Sequence, residues 1–217
     1  MEWVARARAE AAAAVGALTI ARRRIPDAPA HVRAAALAHY PLVGLVCGVV
    51  AAGVAATTAR VAPALAGAAG VVTLLVLAGD GGPVALATGV LRVASASLLP
   101  IGPAIVGLVV APMLGAWAIV VQCHGGRPAD AKEGTPIGRA RFREFGWASV
   151  VAFAVTLGLA EAVGLVLLVA AALTTLAVRL TSYRRLGGLT ADRLVVTREL
   201  VETAVFGLLW ALAQFQR

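Results

Sequence analysis

Charged side chains along this chain gather in three segments and leave long apolar stretches between them. Nine of the thirty charged residues lie in 1–33, eight in 127–144 and eight in 179–202. Residues 34–126 carry only three charges, and residues 145–178 carry only one. A membrane crossing takes about 20 apolar residues, so the first stretch is long enough for about four helices and the second for one long or two short helices.

The single charge in the second stretch, Glu161, predicts a break in the helix. We predict that Glu161 lies in the turn between two short helices, 145–160 and 162–178. The charge-free end, 203–216, is short for a crossing, so its helix is predicted to begin in the charged segment before it. The pattern therefore predicts an all-α, polytopic membrane helix bundle of about five to seven transmembrane helices, built as one integral membrane domain over 1–217.

Composition supports a membrane protein and excludes other classes. Apolar residues make up 60% of the chain and charged residues 14%, whereas soluble domains average roughly 45–50% and about 25%. No stretch alternates apolar and polar residues over about ten positions, so a transmembrane β-barrel is excluded. The 23 glycines indicate helices that approach one another closely.

The net charge of +8 predicts the orientation in the lipid bilayer. An even number of crossings between the charged segments places all three on one face, and the positive-inside rule makes that face cytoplasmic. We therefore predict cytoplasmic loops near 124–144 and 179–198, with 1–33 an interfacial N-terminal segment, in the cell (cytoplasmic) membrane. On this topology Arg92 is expected near a membrane surface. The basic residues lie in loops without interleaved aromatics, which argues against a nucleic-acid partner.

Three acidic residues share one face of the last predicted helix. If that helix starts near Thr190, Asp192, Glu199 and Glu202 fall within an arc of roughly 80°. Carboxylates stacked at a membrane surface can hold Mg²⁺, which prefers oxygen ligands and keeps waters or substrate phosphates in its shell. This stripe is the candidate metal site.

The residues just before that helix suggest a phosphate site. Gly187 and Gly188 precede a helix N-terminus, where free backbone N–H groups can bind phosphate, and Arg184 and Arg185 are close in sequence. Thr190 could donate to a phosphate oxygen. The alternative is structural: the glycines form a turn, Thr190 or Asp192 caps the helix, and the acids neutralise nearby arginines.

One further acid, Asp80, lies between apolar stretches. A charged group at membrane depth is a functional candidate. The alternative is a helix-end residue exposed to lipid headgroups.

The C-terminal motif resembles that of a known family. Residues 186–192 read L-G-G-L-T-A-D, and six residues later 199–202 read E-L-V-E. This is similar to the signature of the cobalamin synthase family (adenosylcobinamide-GDP ribazoletransferase), L-G-G-x-T-G-D followed after six residues by E-L-x-E. Segments 40–48 and 111–117 resemble the family's first and middle spans in the same order. The family's acidic motif, H-L-D-G-x-A-D-x-x-D-G, is reduced here to G-D-G-G-P at 79–83.

The resemblance implies a Mg²⁺-dependent phosphotransferase of the last steps of cobalamin biosynthesis. Such an enzyme transfers the adenosylcobinamide phosphate group from adenosylcobinamide-GDP to alpha-ribazole, or its 5'-phosphate, and releases GMP. The residues expected to act are Asp192, Glu199 and Asp80 in catalysis, Arg184, Arg185, Gly187, Gly188 and Thr190 in substrate binding, and Asp192, Glu199 and Glu202 in metal binding.

Two other functions stay open at this stage. The chain could be a non-catalytic membrane relative that supports corrinoid assembly together with other cobalamin-assembly proteins. It could also be a small transporter subunit, although its polar residues concentrate in loops rather than at mid-membrane, where transport sites usually lie.

Overall fold

The computed structural model describes residues 2–23, 28–79, 82–129 and 136–215, and in these ranges it contains helices and no strands. The predicted all-α class is confirmed. The helices are α1 (Glu2–Leu18), α2 (Ala30–Ala36), α3 (Tyr40–Ala59), α4 (Ala66–Ala78), α5 (Pro83–Ser97), α6 (Ile101–Cys123), α7 (Phe142–Leu186) and α8 (Ala191–Phe215). Asp80, a predicted site residue, lies outside the described residues.

The longest helix, α7, is broken where the lone acid predicted it. Glu161 has φ 47° and ψ −126°, which are not helical angles, and it separates two helical segments. The two segments fold back on each other, because a Cβ added at Gly164 would lie 2.6 Å from the carbonyl oxygen of Thr156. The predicted turn at Glu161 between two shorter helices is confirmed.

Helix α6 is the centre of the bundle and is buried over most of its length. It runs antiparallel to α3: Gly44 meets Pro112 and Met113, and Gly48 meets Leu108 and Val109, backbone against backbone. Glycine allows this approach because it has no Cβ to separate the helices. Glycines of α3 therefore allow the close backbone contact between α3 and α6.

Three helical stretches are long and apolar enough to cross a membrane. Among the described residues these are Ala30–Ala59, which joins α2 to α3, then Ile101–Cys123 and Phe142–Leu186. Helices α4 and α5 are apolar but shorter, and they pair with each other antiparallel, since Gly67 abuts Ala96 and Gly89 abuts Leu75. Together with α8 they complete the bundle around α6.

The three charged segments lie at the same end of the bundle, as the parity of crossings predicts. The loop after α6 pairs with the loop before α8, because Leu189 N donates to Arg127 O at 2.8 Å and Ala129 N donates to Leu189 O at 2.9 Å. The N-terminal segment reaches the same end, where Arg6 and His31 face Arg141 across a cavity. The cytoplasmic identity of this end stays a prediction.

Candidate functional site: a buried ion cluster beneath two glycine turns

Two glutamates of α8 and one arginine of α5 form ion pairs inside the bundle. Arg92 binds Glu202 through Nη1 and Glu199 through Nη2, and all three side chains are almost completely buried. Arg92 is 2% exposed and lies about 14 Å from the start of α5 and about 8 Å from its end, at 1.5 Å per residue. Its expected position near a membrane surface stays a prediction. Buried ions are costly unless they are paired, and these glutamates supply the pairing.

Two further side chains complete this group. Thr88 Oγ1 donates to Glu199 Oε2 at 2.8 Å, and Arg198 Nε donates to Glu202 Oε1 at 2.8 Å. We call Thr88, Arg92, Arg198, Glu199 and Glu202 the buried ion cluster. Two guanidinium groups face two carboxylates, so the cluster is formally neutral.

The cluster follows from helix periodicity and from space left by α6. Thr88 and Arg92 lie four residues apart on α5, and Arg198 and Glu202 lie four apart on α8, so each pair shares a helix face. Gly115 of α6 faces the cluster; a Cβ there would lie 3.0 Å from the Cγ atoms of both Arg198 and Glu202. A larger residue at this position would compete with the ion pairs for space.

The cluster also anchors the N-terminal helix. Arg198 Nη1 donates to the carbonyl oxygen of Leu18, at the end of α1, at 3.2 Å. That carbonyl is one of the last in its helix and has no partner within it, so a cation satisfies it well. Helices α1, α5 and α8 are thus joined through one group of charges.

The three acids of the predicted magnesium stripe are not brought together. Glu199 and Glu202 turn inward to arginines, whereas Asp192 is exposed in the first turn of α8. Over the described ranges, no three His, Cys, Asp or Glu side chains are grouped so that they could hold a metal ion. A magnesium site at Asp192, Glu199 and Glu202 does not fit this arrangement, because Arg92 binds one oxygen of each glutamate, Arg198 binds the other oxygen of Glu202, and Asp192 lies apart from both.

The two glycines before α8 form a turn that joins two loops. Gly187 has φ 72° and ends α7, with its N–H donating to Tyr183 O at 3.1 Å. Gly188 packs against the backbone of the other loop, where an added Cβ would lie 2.6 Å from Ala129 N. Gly187 tolerates its left-handed angle and Gly188 tolerates this approach because neither has a side chain.

The neighbouring predicted residues take up cap and surface positions. Thr190 Oγ1 accepts the backbone N–H of Arg193 at 3.4 Å, as a residue preceding a helix does. Arg184 and Arg185 are exposed at the end of α7. This is the turn-and-cap arrangement left open by the sequence. Glu202 pairs with a nearby arginine, Arg198, as that alternative expects, and both glutamates also pair with Arg92 of a distant helix.

The turn before α5 lies at the same end of the bundle as the turn before α8. Gly79 ends α4 with φ 68°, and a Cβ there would lie 3.1 Å from Ile20 of the N-terminal segment. Helices α5 and α8 run parallel, because Thr88 reaches Glu199 and, one turn further along both helices, Arg92 reaches Glu202. Gly79 and the start of α5 at Pro83 therefore lie at the end of the bundle that carries Arg184 and Arg185.

Sequence reasoning missed Arg92 and Thr88 as partners of the two glutamates. The signal for Arg92 was present, since an ionisable residue in an apolar segment is a functional candidate with a partner to be named. Its partners lie 107 and 110 residues away, and pattern alone does not pair residues at that separation.

The fold and the buried cluster describe a helical membrane protein with a charged centre between α5 and α8. The sequence profile of the cobalamin-5-phosphate synthase family matches residues 78–210, which include every residue of that cluster. The match covers more than half of the chain, and the protein belongs to this family. Its role therefore lies in late cobalamin biosynthesis. No curated protein and no solved structure matches the chain significantly.

Proposed function

We propose that this protein transfers the adenosylcobinamide phosphate group from adenosylcobinamide-GDP to alpha-ribazole, or to its 5'-phosphate, and releases GMP. The observation that carries the proposal is the family match over 78–210, within which the two glutamates of the E-L-V-E motif are held by Arg92. A retained buried charge cluster is costly in an apolar bundle, so its presence favours a chain that still needs this geometry.

The reaction joins a ribose hydroxyl oxygen to phosphorus. The hydroxyl oxygen attacks the phosphorus that carries the corrinoid, the bond from that phosphorus to the GMP oxygen breaks, and the hydroxyl proton is released. Phosphoryl transfer of this kind needs little covalent help from protein and depends on positioning and charge stabilisation. The guanidinium groups of Arg184 and Arg185, which are exposed, suit the diphosphate of the donor substrate, and Thr190 follows them closely in the sequence.

The buried ion cluster is assigned a positioning role. Glu199 was predicted to be catalytic, but its carboxylate is buried and bound by Arg92 and Thr88. By joining α5 to α8 it holds the start of α5 at a fixed height relative to the turn at 187–190. Asp192 is then an acid exposed at that end of the bundle.

Magnesium dependence stays a prediction for this reaction. In the described ranges no three acidic, histidine or cysteine side chains are grouped as metal ligands, and Asp80 is the remaining acid of the reduced family motif. Depletion of divalent cations from the assay, followed by titration with Mg²⁺, tests the dependence directly.

Complementation tests the activity as a whole. The gene is expressed in a strain that lacks its own synthase and is supplied with cobinamide, and membranes from the same strain are assayed for GMP release from adenosylcobinamide-GDP with and without alpha-ribazole. We expect restored cobalamin synthesis and release of GMP that depends on alpha-ribazole. Neither growth nor release, with the protein present in the membrane, would contradict the proposal.

A second candidate is a non-catalytic relative that binds corrinoid substrates. It is favoured by one observation: in the part of the chain that the structure describes, no group of three metal-binding side chains exists. Binding of adenosylcobinamide-GDP without GMP release in the membrane assay would support this candidate over the transferase.

A further inference from the structure

A second group of arginines surrounds a cavity at the charged end of the molecule. The cavity has a volume of about 540 Å³ and lies between α1, α2 and the segment 139–144 that leads into α7. Its walls are Arg6, Ala30, His31, Ala34, Ala35, Arg139, Arg141, Arg143 and Glu144. We call it the basic pocket; none of its lining residues belongs to the 184–190 segment. Small-molecule sites are typically about 300–1,000 Å³, so its size suits a substrate fragment or a lipid headgroup.

The charges of the basic pocket are strongly unequal. Among the described residues that line it there are four arginines and one acid, Glu144. The Glu144 carboxylate accepts the backbone N–H of Arg141 at 2.9 Å and pairs with Arg143 Nη2 at 3.2 Å. Arg6 pairs with Glu10 on its own helix at 3.0 Å. The guanidinium groups of Arg139 and Arg141 make no hydrogen bond or ion pair with any residue in the described ranges.

Small side chains keep the pocket open opposite these arginines. Ala30, Ala34 and Ala35 lie on one face of α2 and supply an apolar wall. An apolar wall in the same cavity as two exposed guanidinium groups that have no partner in the described ranges is suited to a compact anion. Guanidinium groups bind phosphate oxygens through charged, often paired hydrogen bonds, which makes phosphate the matching chemistry.

We propose that the basic pocket binds a phosphate group through Arg139 and Arg141. The phosphate belongs either to a phosphorylated substrate, an identity that rests on the proposed function, or to the headgroup of an anionic lipid. Both sources present the same group to the same two arginines.

Binding of inorganic pyrophosphate by the full-length protein tests the pocket. The protein is placed in phosphatidylcholine nanodiscs and titrated calorimetrically, as wild type and as the double variant Arg139→Gln/Arg141→Gln. Every protein in the test, the wild type included, also carries Arg184→Gln/Arg185→Gln, so that the diphosphate site proposed at those arginines does not contribute. We expect the double variant to bind about ten-fold more weakly or worse, because it loses both charged donors. The matched control is Arg8→Gln/Arg60→Gln, which also removes two arginines, both exposed and outside the pocket; it should bind as the wild type does.

Nanodiscs that contain phosphatidylglycerol distinguish the two sources. If the pocket holds a lipid headgroup, the anionic lipid weakens pyrophosphate binding to the wild type, and native mass spectrometry retains that lipid on the wild type but not on the double variant. If the pocket serves a free phosphorylated substrate, pyrophosphate affinity is the same in both kinds of nanodisc.

Equal pyrophosphate binding and equal lipid retention by the wild type and a folded double variant would overturn the proposal. So would a wild type that binds neither pyrophosphate nor anionic lipid. These measurements involve no turnover, so a failure of the transfer assay alone would contradict the proposed function and leave the pocket result standing.

Discussion

The ion pairs of Arg92 compensate the charges of Glu199 and Glu202 in the centre of the bundle. Removing this guanidinium takes an ion-pair partner from Glu199 and one of two arginine partners from Glu202, in an apolar interior. Breaking a buried ion pair from one side costs about 3–5 kcal/mol. We therefore expect Arg92→Met to lower the midpoint of thermal unfolding in detergent sharply, or to reduce the amount of folded protein in the membrane.

The control for Arg92 is an arginine with no such partners. Arg60 is exposed at the end of α3, and Arg60→Met should leave the thermal midpoint nearly unchanged. If the two variants unfold at the same temperature, the ion pairs of Arg92 contribute nothing to stability and the positioning role of the cluster is lost.

Variants of the exposed Asp192 and the buried Glu202 distinguish a role in the reaction from a role in stability. Asp192 is exposed, so Asp192→Asn should keep the thermal midpoint. It should lower transfer activity at least about ten-fold if this acid holds a divalent cation against the substrate phosphates. Glu202→Gln removes a carboxylate bound by two arginines and should lower the thermal midpoint first. GMP release and thermal unfolding, measured on the same preparations, check both expectations; full activity in Asp192→Asn would remove this acid from the site.

Periodicity predicted part of the site because it is local information. Glu199 and Glu202 were placed on one helix face from their spacing, and the structure puts them side by side. The same spacing said nothing about which element faces them. Either a magnesium ion or an arginine from a distant helix can neutralise two carboxylates. The packing of α5 against α8 brings Arg92 to these two glutamates.

At the scale of whole elements, the contact between α3 and α6 depends on missing side chains. A Cβ at Gly44 would lie 2.4 Å from the carbonyl oxygen of Pro112, which is backbone and cannot rotate away. We expect Gly44→Ala to push the helices apart and to destabilise the protein by about 1–3 kcal/mol, as overpacked interiors do. The thermal midpoint in detergent measures the effect.

Gly53 on the same helix supplies the matched control. No atom lies within 4 Å of a Cβ added there, and alanine is favoured over glycine in a helix by up to about 1 kcal/mol. Gly53→Ala should therefore leave the thermal midpoint unchanged or raise it. A fall equal to that of Gly44→Ala would show that helix packing is not the cause.

Helix ends were predicted where a charge or a glycine interrupts an apolar run. What the turns at those ends contact depends on tertiary packing. The break at Glu161 and the helix start after Thr190 follow from such local signals. The need for glycine at position 188 does not follow from local signals, because a side chain there would collide with the backbone of Ala129 in another loop. A phosphate-binding turn and a loop-packing turn have the same sequence, so only the neighbouring segment distinguishes them.

For the whole molecule, the direction of each helix determines at which end of the bundle each loop lies. Each apolar helix from α3 to α6 reverses the direction of the one before, and the turn at Glu161 makes α7 cross out and back. Within the described ranges, the end opposite the basic loops carries the charges Arg60 and Glu161, whereas the basic end carries most of the arginines. Under the positive-inside rule this asymmetry predicts that the basic end faces the cytoplasm.

Cysteine labelling in intact cells checks this orientation. In a variant without Cys47 and Cys123, single cysteines are introduced as Val61→Cys, at an 89% exposed position after α3, and Arg185→Cys, at the exposed end of α7. A membrane-impermeant thiol reagent should reach the first from outside the cell and reach the second only after the membrane is permeabilised. Labelling of Arg185→Cys in intact cells would place the basic loops outside. The arginines proposed to bind substrate phosphates would then face away from the cytoplasmic pool of nucleotides, and both the orientation and the proposed reaction would have to be abandoned together.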